Sequence, residues 1–434
     1  MNDWLRSFKN VKEVRTPIPL KPIIGKIPPA LNGTWYKASP GEFEQYQSKT
    51  AHPYDGDGFV SAVHFNNGNA TYQARFVNTH HRQKEKQANK RLYTGAFGTP
   101  PHLRAMKNPA NTSVWHWRGE LVVFSDCGPA YCLDPVSLET KGLFGGFKEG
   151  FPLQTKLPLV DALIGGDVLG AHPKRVGDTF IYYTIKNSLT DATITFYEAH
   201  TSGTLYQQSY TLPHPLYFTH DFTVTPTHYI FVQHNLELHL NHYEDGLIHC
   251  LKSNPQRPFN YVHVLPRCNT TAPSLTIPTQ PFFITHHLSF HENALYATAY
   301  SHCFDWTILP PPGFITKIDL LNQTETLIDK WIEFPVPTAN HLYALQLNEK
   351  HNTLLQLKPP HTILQAWTAL SRQFLSEPMV DASDSYVMCL CYDAAVHKSY
   401  IYLFLARSLS QGPITIIELP DVIPIGLHGT FLAH

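Results

Sequence analysis

Short strand-like runs recur along this chain, and in some of them apolar and polar side chains alternate with a period of two. That is the spacing of residues facing alternately inward and outward on a β-strand. Residues 61–65 (Ser-Ala-Val-His-Phe) and 70–76 (Ala-Thr-Tyr-Gln-Ala-Arg-Phe) flank Asn66-Asn67-Gly68-Asn69 and predict a hairpin with a glycine-containing turn. Similar runs recur at 121–125, 179–185, 193–198, 229–233, 294–299 and 400–406, separated by turn pairs such as Arg118-Gly119, Asp134-Pro135 and Gly177-Asp178. No stretch alternates strands with long amphipathic helices, which argues against a parallel α/β sheet. Many short strands with regular turns leave a sandwich, a barrel or a propeller. The least strand-like parts, about 84–106, 151–168 and 236–281, read as long loop excursions from a β scaffold, where binding sites often lie. No linker marks a boundary, so residues 1–434 are expected to form a single domain.

Composition narrows the function classes. Of 434 residues, 43% are hydrophobic and only 15% charged, which excludes a disordered chain. The 33 basic residues are matched by 34 acidic ones, so no nucleic-acid partner held by bulk charge is expected. The basic run 80–91 reads as a solvated loop. With 35 prolines a helical bundle is disfavoured. The first ten residues carry mixed charge and no apolar core, and no run is long and apolar enough to span a bilayer. The 7 cysteines are scattered and read as reduced thiols, with Cys389 and Cys391 on a core strand, so a cytoplasmic protein is expected.

The unusual count is 26 histidines, the commonest metal-ligand residue. Four stand out by context: His172 in Gly-Ala-His-Pro-Lys, His220 in Phe-Thr-His-Asp-Phe, His286 in Thr-His-His-Leu-Ser, and His428 in Gly-Leu-His-Gly-Thr. None carries a local metal motif, and each alone reads as a packed or surface histidine. Three acids have comparable settings: Asp126 after an apolar run, Glu333 in Trp-Ile-Glu-Phe-Pro, and Glu377 in Leu-Ser-Glu-Pro-Met. The seven positions are separated by 46, 48, 66, 47, 44 and 51 residues. A propeller blade takes roughly 40–50 residues, so each would come from a matching strand near one axis. Four neutral imidazoles would make a nitrogen-only site suited to Fe(II), Cu, Ni or Zn. Carboxylates are the usual partners of the second ring nitrogens, and three of them with a divalent ion bring the formal charge to −1.

The sequence resembles the carotenoid cleavage oxygenases, nearly end to end. The likeness is carried by Ile27-Pro-Pro-Ala-Leu-Asn-Gly-Thr34, Ser39-Pro40-Gly41, His52-Pro-Tyr-Asp-Gly-Asp-Gly58, Ala74-Arg-Phe-Val77, Asn108-Pro-Ala-Asn-Thr112, Tyr131-Cys-Leu-Asp-Pro135 and the four histidine contexts in order. The spacing of the seven residues agrees with this resemblance rather than standing apart from it. The resemblance implies an all-β, seven-bladed β-propeller with a dome of loops and short helices over the metal-bearing face. It implies non-haem Fe(2+) held by His172, His220, His286 (rather than His287) and His428, with Asp126, Glu333 and Glu377 bonded to three of these histidines. It also implies O2 as co-substrate and cleavage of a conjugated C=C bond of an apolar polyene into two carbonyl products.

Several departures bear on substrate and vigour. Family members usually carry Glu at position 126; Asp is one methylene shorter, so its bond to a histidine is expected to lengthen or to need a water. Ser289-Phe-His-Glu292 and Ser383-Asp-Ser-Tyr386 replace common family motifs. A stilbene-cleaving subgroup usually has Lys before the acid, where this chain has Ser125. A carotenoid or apocarotenoid is therefore favoured over a stilbene. A propeller that binds an apolar ligand without cleaving it, and a zinc or copper hydrolase, rank below. An apolar substrate also calls for transient contact with a membrane surface, with residues 84–106 and 236–281 as candidate segments.

Overall fold

The computed structural model describes residues 3–101, 104–149, 167–188, 190–239, 241, 247–268, 270–301, 312–348 and 352–434. These residues build a seven-bladed β-propeller. The expected hairpin is present: Asp57–Asn66 pairs with Asn69–Phe76 around Asn67 and Gly68 at φ 46° and 77°. Two positive φ values match the twist of the flanking strands, which is why Asn-Gly suits the turn.

The first blade runs, outer to inner, Val14–Leu20, Asn69–Phe76, Asp57–Asn66, Gly33–Glu42 and the C-terminal Gly429–Ala433. The following sheets span residues 113–143, 168–213, 222–279, 283–328 and 332–368. The seventh sheet, residues 373–418, gains Pro22–Ile24 from the N-terminal part as its outer strand. Each end of the chain thus completes a blade begun at the other, closing the ring without a free seam. Inner strands touch across blades: Gly429–Ala433 against Ser113–Trp117, and Phe283–His291 against both Phe222–Val224 and Ile332–Pro337.

Alternation explains the packing. In Asp191–His200, buried and partly exposed residues alternate through Ala192, Ile194, Phe196 and Glu198. Phe196 stacks on Tyr229 of the next blade at 3.9 Å between ring centroids. Each junction between neighbouring blades holds one apolar cluster, such as that of Tyr343, Cys389, Cys391 and Phe404 between the sixth and seventh. Burial pushes the Cys391 thiol up to about 12.

Two expectations need correction. The run 80–91 is not a solvated loop: it carries the helix His80–Ala88, capped by the Thr79 hydroxyl, with His81, Arg82 and Glu85 buried. Arg82 bonds Glu42, and Glu85 pairs with Lys107 at 2.7 Å, so ion pairs replace the apolar stripe a buried helix normally shows. Nor is 236–281 a plain excursion, because Asn260–Pro266 and Leu275–Thr279 are the outer half of the fourth blade. Among the described residues, the elements inserted between blade strands here are Leu236–Leu238, Leu247–Cys250 and Leu251–Ser253, which accounts for the 66-residue gap between His220 and His286. Of the segment 151–168, residues 151–166 lie outside the described residues.

Candidate metal centre

The four histidines reach one point from four blades. His172 follows Val168–Leu169, His220 precedes Phe222–Val224, His286 lies inside Phe283–His291, and His428 precedes Gly429–Ala433. Gly170 permits the approach of His172, since a Cβ there would stand 2.1 Å from the Tyr183 ring. Alternation separates the double histidine. His286 points to the axis, while Nδ1 of His287 lies 2.9 Å from the Thr223 hydroxyl. One ring nitrogen of each of the four lies within 4.8 Å of the others. Nε2 of His172 and Nε2 of His220 are 3.0 Å apart, and those of His286 and His428 are 3.4 Å apart.

The three acids stand behind three of these rings. His220 Nδ1–H donates to Asp126 at 2.7 Å, His428 Nδ1–H to Glu377 at 2.7 Å, and His286 Nδ1–H to Glu333. Because a carboxylate only accepts, each bond assigns the proton to Nδ1 and leaves the Nε2 lone pair facing inward. Asp126 makes its bond directly, without lengthening or an intervening water, and its other oxygen accepts from the Ala171 N–H at 2.8 Å. That corrects the expectation drawn from its shorter side chain: the turn before His172 brings the backbone to the carboxylate. Among the described residues His172 has no carboxylate partner. Burial, reinforced by the neighbouring imidazoles, holds it well below the usual histidine range, and it is neutral.

Sequence reasoning missed the groups that steady the acids. Glu333 also accepts the Tyr300 hydroxyl and, at 3.2 Å, the Thr285 hydroxyl. Tyr300 in turn accepts from the Trp331 indole at 3.1 Å. Burial pushes Glu333 up, but His286 and these donors outweigh it and leave the carboxyl below its ordinary value. Glu377 accepts the Gly429 N–H at 2.8 Å and lies beside Lys37. The family motifs brace the surroundings. Asp55 accepts from the N–H groups of Phe97 and Thr99 and from the Thr99 hydroxyl at 2.7 Å, while Asn111 donates to the carbonyls of Tyr54 and Gly56. Phe97 thereby joins an apolar cluster with Phe218, Phe283, Tyr300 and Trp331. Phe218 stacks beside His220 at 5.8 Å, and Phe334 lies 5.7 and 5.6 Å from His286 and His428.

Four ring nitrogens from four blades, three of them with the lone pair turned inward, converge at short spacing, so this donor set suits a metal ion. Three of the four rings carry the carboxylate partner that ligating imidazoles favour. The residues present therefore fit a bound divalent ion.

Comparison with known proteins agrees. A family model described as retinal pigment epithelial membrane protein matches residues 7–309 and 296–433. Apocarotenoid-15,15'-oxygenase of Synechocystis sp. is 29% identical, with 99% of this chain and 96% of that protein covered. Resveratrol cleavage oxygenase 1 of Botryotinia fuckeliana is 31% identical over 44% of this chain and 30% of its own length. The crystal structure of cobalt-substituted Synechocystis apocarotenoid oxygenase superposes with a TM-score of 0.82 at 26% identity, covering 100% of this chain and 98% of that one. By sequence and by fold, the chain belongs to the family of retinal pigment epithelial membrane protein, the carotenoid cleavage oxygenases.

Proposed function

We propose that the protein is a non-haem Fe(II) dioxygenase that uses O2 to cleave a conjugated C=C bond of an apolar carotenoid or apocarotenoid. The observation that carries this reading is the convergence of four imidazole nitrogens, three of them with the ring fixed by a carboxylate. His172, His220, His286 and His428 hold the ion; Asp126, Glu333 and Glu377 keep the Nδ1 protons in place and the rings aimed. When bound, ferrous iron supplies the binding and activation of O2. The overall reaction turns one C=C and one O2 into two C=O groups, so no net proton or external electron is required. The chain's task is then to orient the polyene and exclude water, and the rings of Phe218 and Phe334 wall the histidines with apolar surface.

At the position where a lysine would grip a phenol, the Ser125 hydroxyl is buried and donates to Asn108 at 2.7 Å. That position carries no cationic side chain in this sequence, which favours a polyene over a hydroxystilbene. Among the described residues no helix is long and apolar enough to cross a membrane. Substrate drawn from lipid would reach the site through transient surface contact.

Incubating iron-loaded protein with apocarotenals and stilbenes under 18O2, with products identified by mass, tests the reading. One labelled oxygen in each of the two carbonyl products of an apocarotenal is expected. A pigment retained uncleaved by iron-loaded protein would overturn it in favour of a binding propeller, and cleavage of stilbenes alone would overturn the substrate class.

A further inference from the structure

Behind His428 lies a charge that no motif announces. Lys37 sits in the inner half of the first blade with its side chain only 6% exposed. Its Nζ donates to the Leu427 carbonyl at 3.0 Å and to the Glu377 main-chain carbonyl at 3.5 Å, and stands 3.7 Å from Glu377 Oε2. Gly426 makes room for it: a Cβ there would meet Lys37 Cε at 2.8 Å and Cγ at 3.0 Å. Among the described residues no lysine or arginine pairs with the other two acids. Glu333 takes hydroxyl donors and Asp126 a backbone N–H. A buried ammonium is costly unless an opposite charge needs it, and one acid of the three has it.

We propose that Lys37 is a positioning residue that sets the charge of the metal centre, making the buried assembly neutral around a divalent ion and positively charged around a trivalent one. The inference rests on the reading of the four histidines as ligands. Three carboxylates outweigh a divalent ion by one negative charge, and the ammonium cancels it. Without the ammonium, the ferric state becomes the neutral one. Lys37 therefore favours ferrous iron, and its hold on Glu377 and Leu427 keeps the His428 ring in register.

The test uses the full chain loaded with Co(II) or Fe(II), comparing wild type with Lys37→Met, Lys37→Gln and Lys37→Arg. A unit charge about 10 Å from the ion, at an effective dielectric of about 20, weights ferric against ferrous on the order of tenfold. Lys37→Met is expected to bind Co(II) but to show a lower midpoint potential, by the equivalent of about tenfold in the ferric-to-ferrous ratio, and faster one-electron oxidation of bound ferrous iron by air. Lys37→Gln keeps an N–H donor for Leu427 and should shift equally if the methionine variant fails to fold. Lys37→Arg keeps the positive charge and should stay nearer to wild type than either neutral variant. Unchanged oxidation rate and potential in the neutral variants would overturn the role of Lys37 alone. Wild type that binds neither ion would overturn the metal-site reading, and the role of Lys37 with it.

Discussion

Changing Glu333→Gln tests the carboxylate support of the site most directly. The side chain is buried and serves three donors: His286 Nδ1–H, the Tyr300 hydroxyl and the Thr285 hydroxyl. Glutamine keeps the volume but has one acceptor oxygen and one NH2 group. If the NH2 faces His286, the imidazole proton must move to Nε2, which blocks the lone pair facing His428 at 3.4 Å. If the oxygen faces His286, the NH2 needs both hydroxyls as acceptors, and the Tyr300 oxygen already takes the Trp331 N–H. Either arrangement loses a charge-assisted bond worth about 1.5–3 kcal/mol. That agrees with the roughly 10–100-fold fall in metal affinity usual when such partners are removed. Competition for Co(II) between protein and a chelator of known affinity reads the change. Thr285→Val is the control: it removes one neutral bond of about 0.5–1.5 kcal/mol without touching the tautomer and should leave Co(II) affinity within about threefold of wild type. Glu333→Gln binding Co(II) within about twofold of wild type would refute the argument that this carboxylate fixes the ligand tautomer.

Phe196→Ala should cost about 3–5 kcal/mol in urea unfolding, since the ring is fully buried and stacked across a blade junction; a loss under about 1 kcal/mol would mean the junction collapses around the gap. Gly58→Ala should abolish soluble expression, because its Cβ would fall 1.9 Å from the Ala110 carbonyl oxygen, and normal expression with an unchanged melting profile would show that this close approach can open. Acid should destabilise the fold through its buried histidines. Burial holds His52, His234 and His263 down at about 4, against an ordinary 6.5. Between those values the unfolded chain binds more protons, so stability rises with pH across the window and is lost as pH falls from about 6.5 to 4. His263, bonded to Gln233 and Thr276, accounts for up to about 3 kcal/mol of that loss; a His263→Gln variant with the same pH slope as wild type in urea titrations would remove its share.

Much of this molecule was legible locally. Period-two alternation marks Asp191–His200, short apolar runs mark Thr179–Asn187 and Lys398–Leu405, and Asn67-Gly68 marks its hairpin, because these features depend on neighbours within a few residues. Where local pattern and tertiary demand diverge, the reading fails. The prolines of residues 255–281 hide Asn260–Pro266 and Leu275–Thr279, yet Pro266 ends its strand and Pro278 lies in the outermost one, where a missing N–H costs little. The helix His80–Ala88 lacks an apolar stripe because its buried face is held by Glu42, Asp57 and Lys107, all distant in sequence.

The site divides the same way. Sequence alone determined which residue types stand at blade intervals, and the family's motifs singled out His172, His220, His286 and His428 from 26 histidines. Only the tertiary structure decided that four nitrogens from four blades meet within 4.8 Å, that Asp126 reaches its histidine unaided, and that Lys37 shares Glu377 with His428. The reason is physical: alternation is written in bonds between neighbouring residues, whereas a central site exists only once seven blades have closed around one axis.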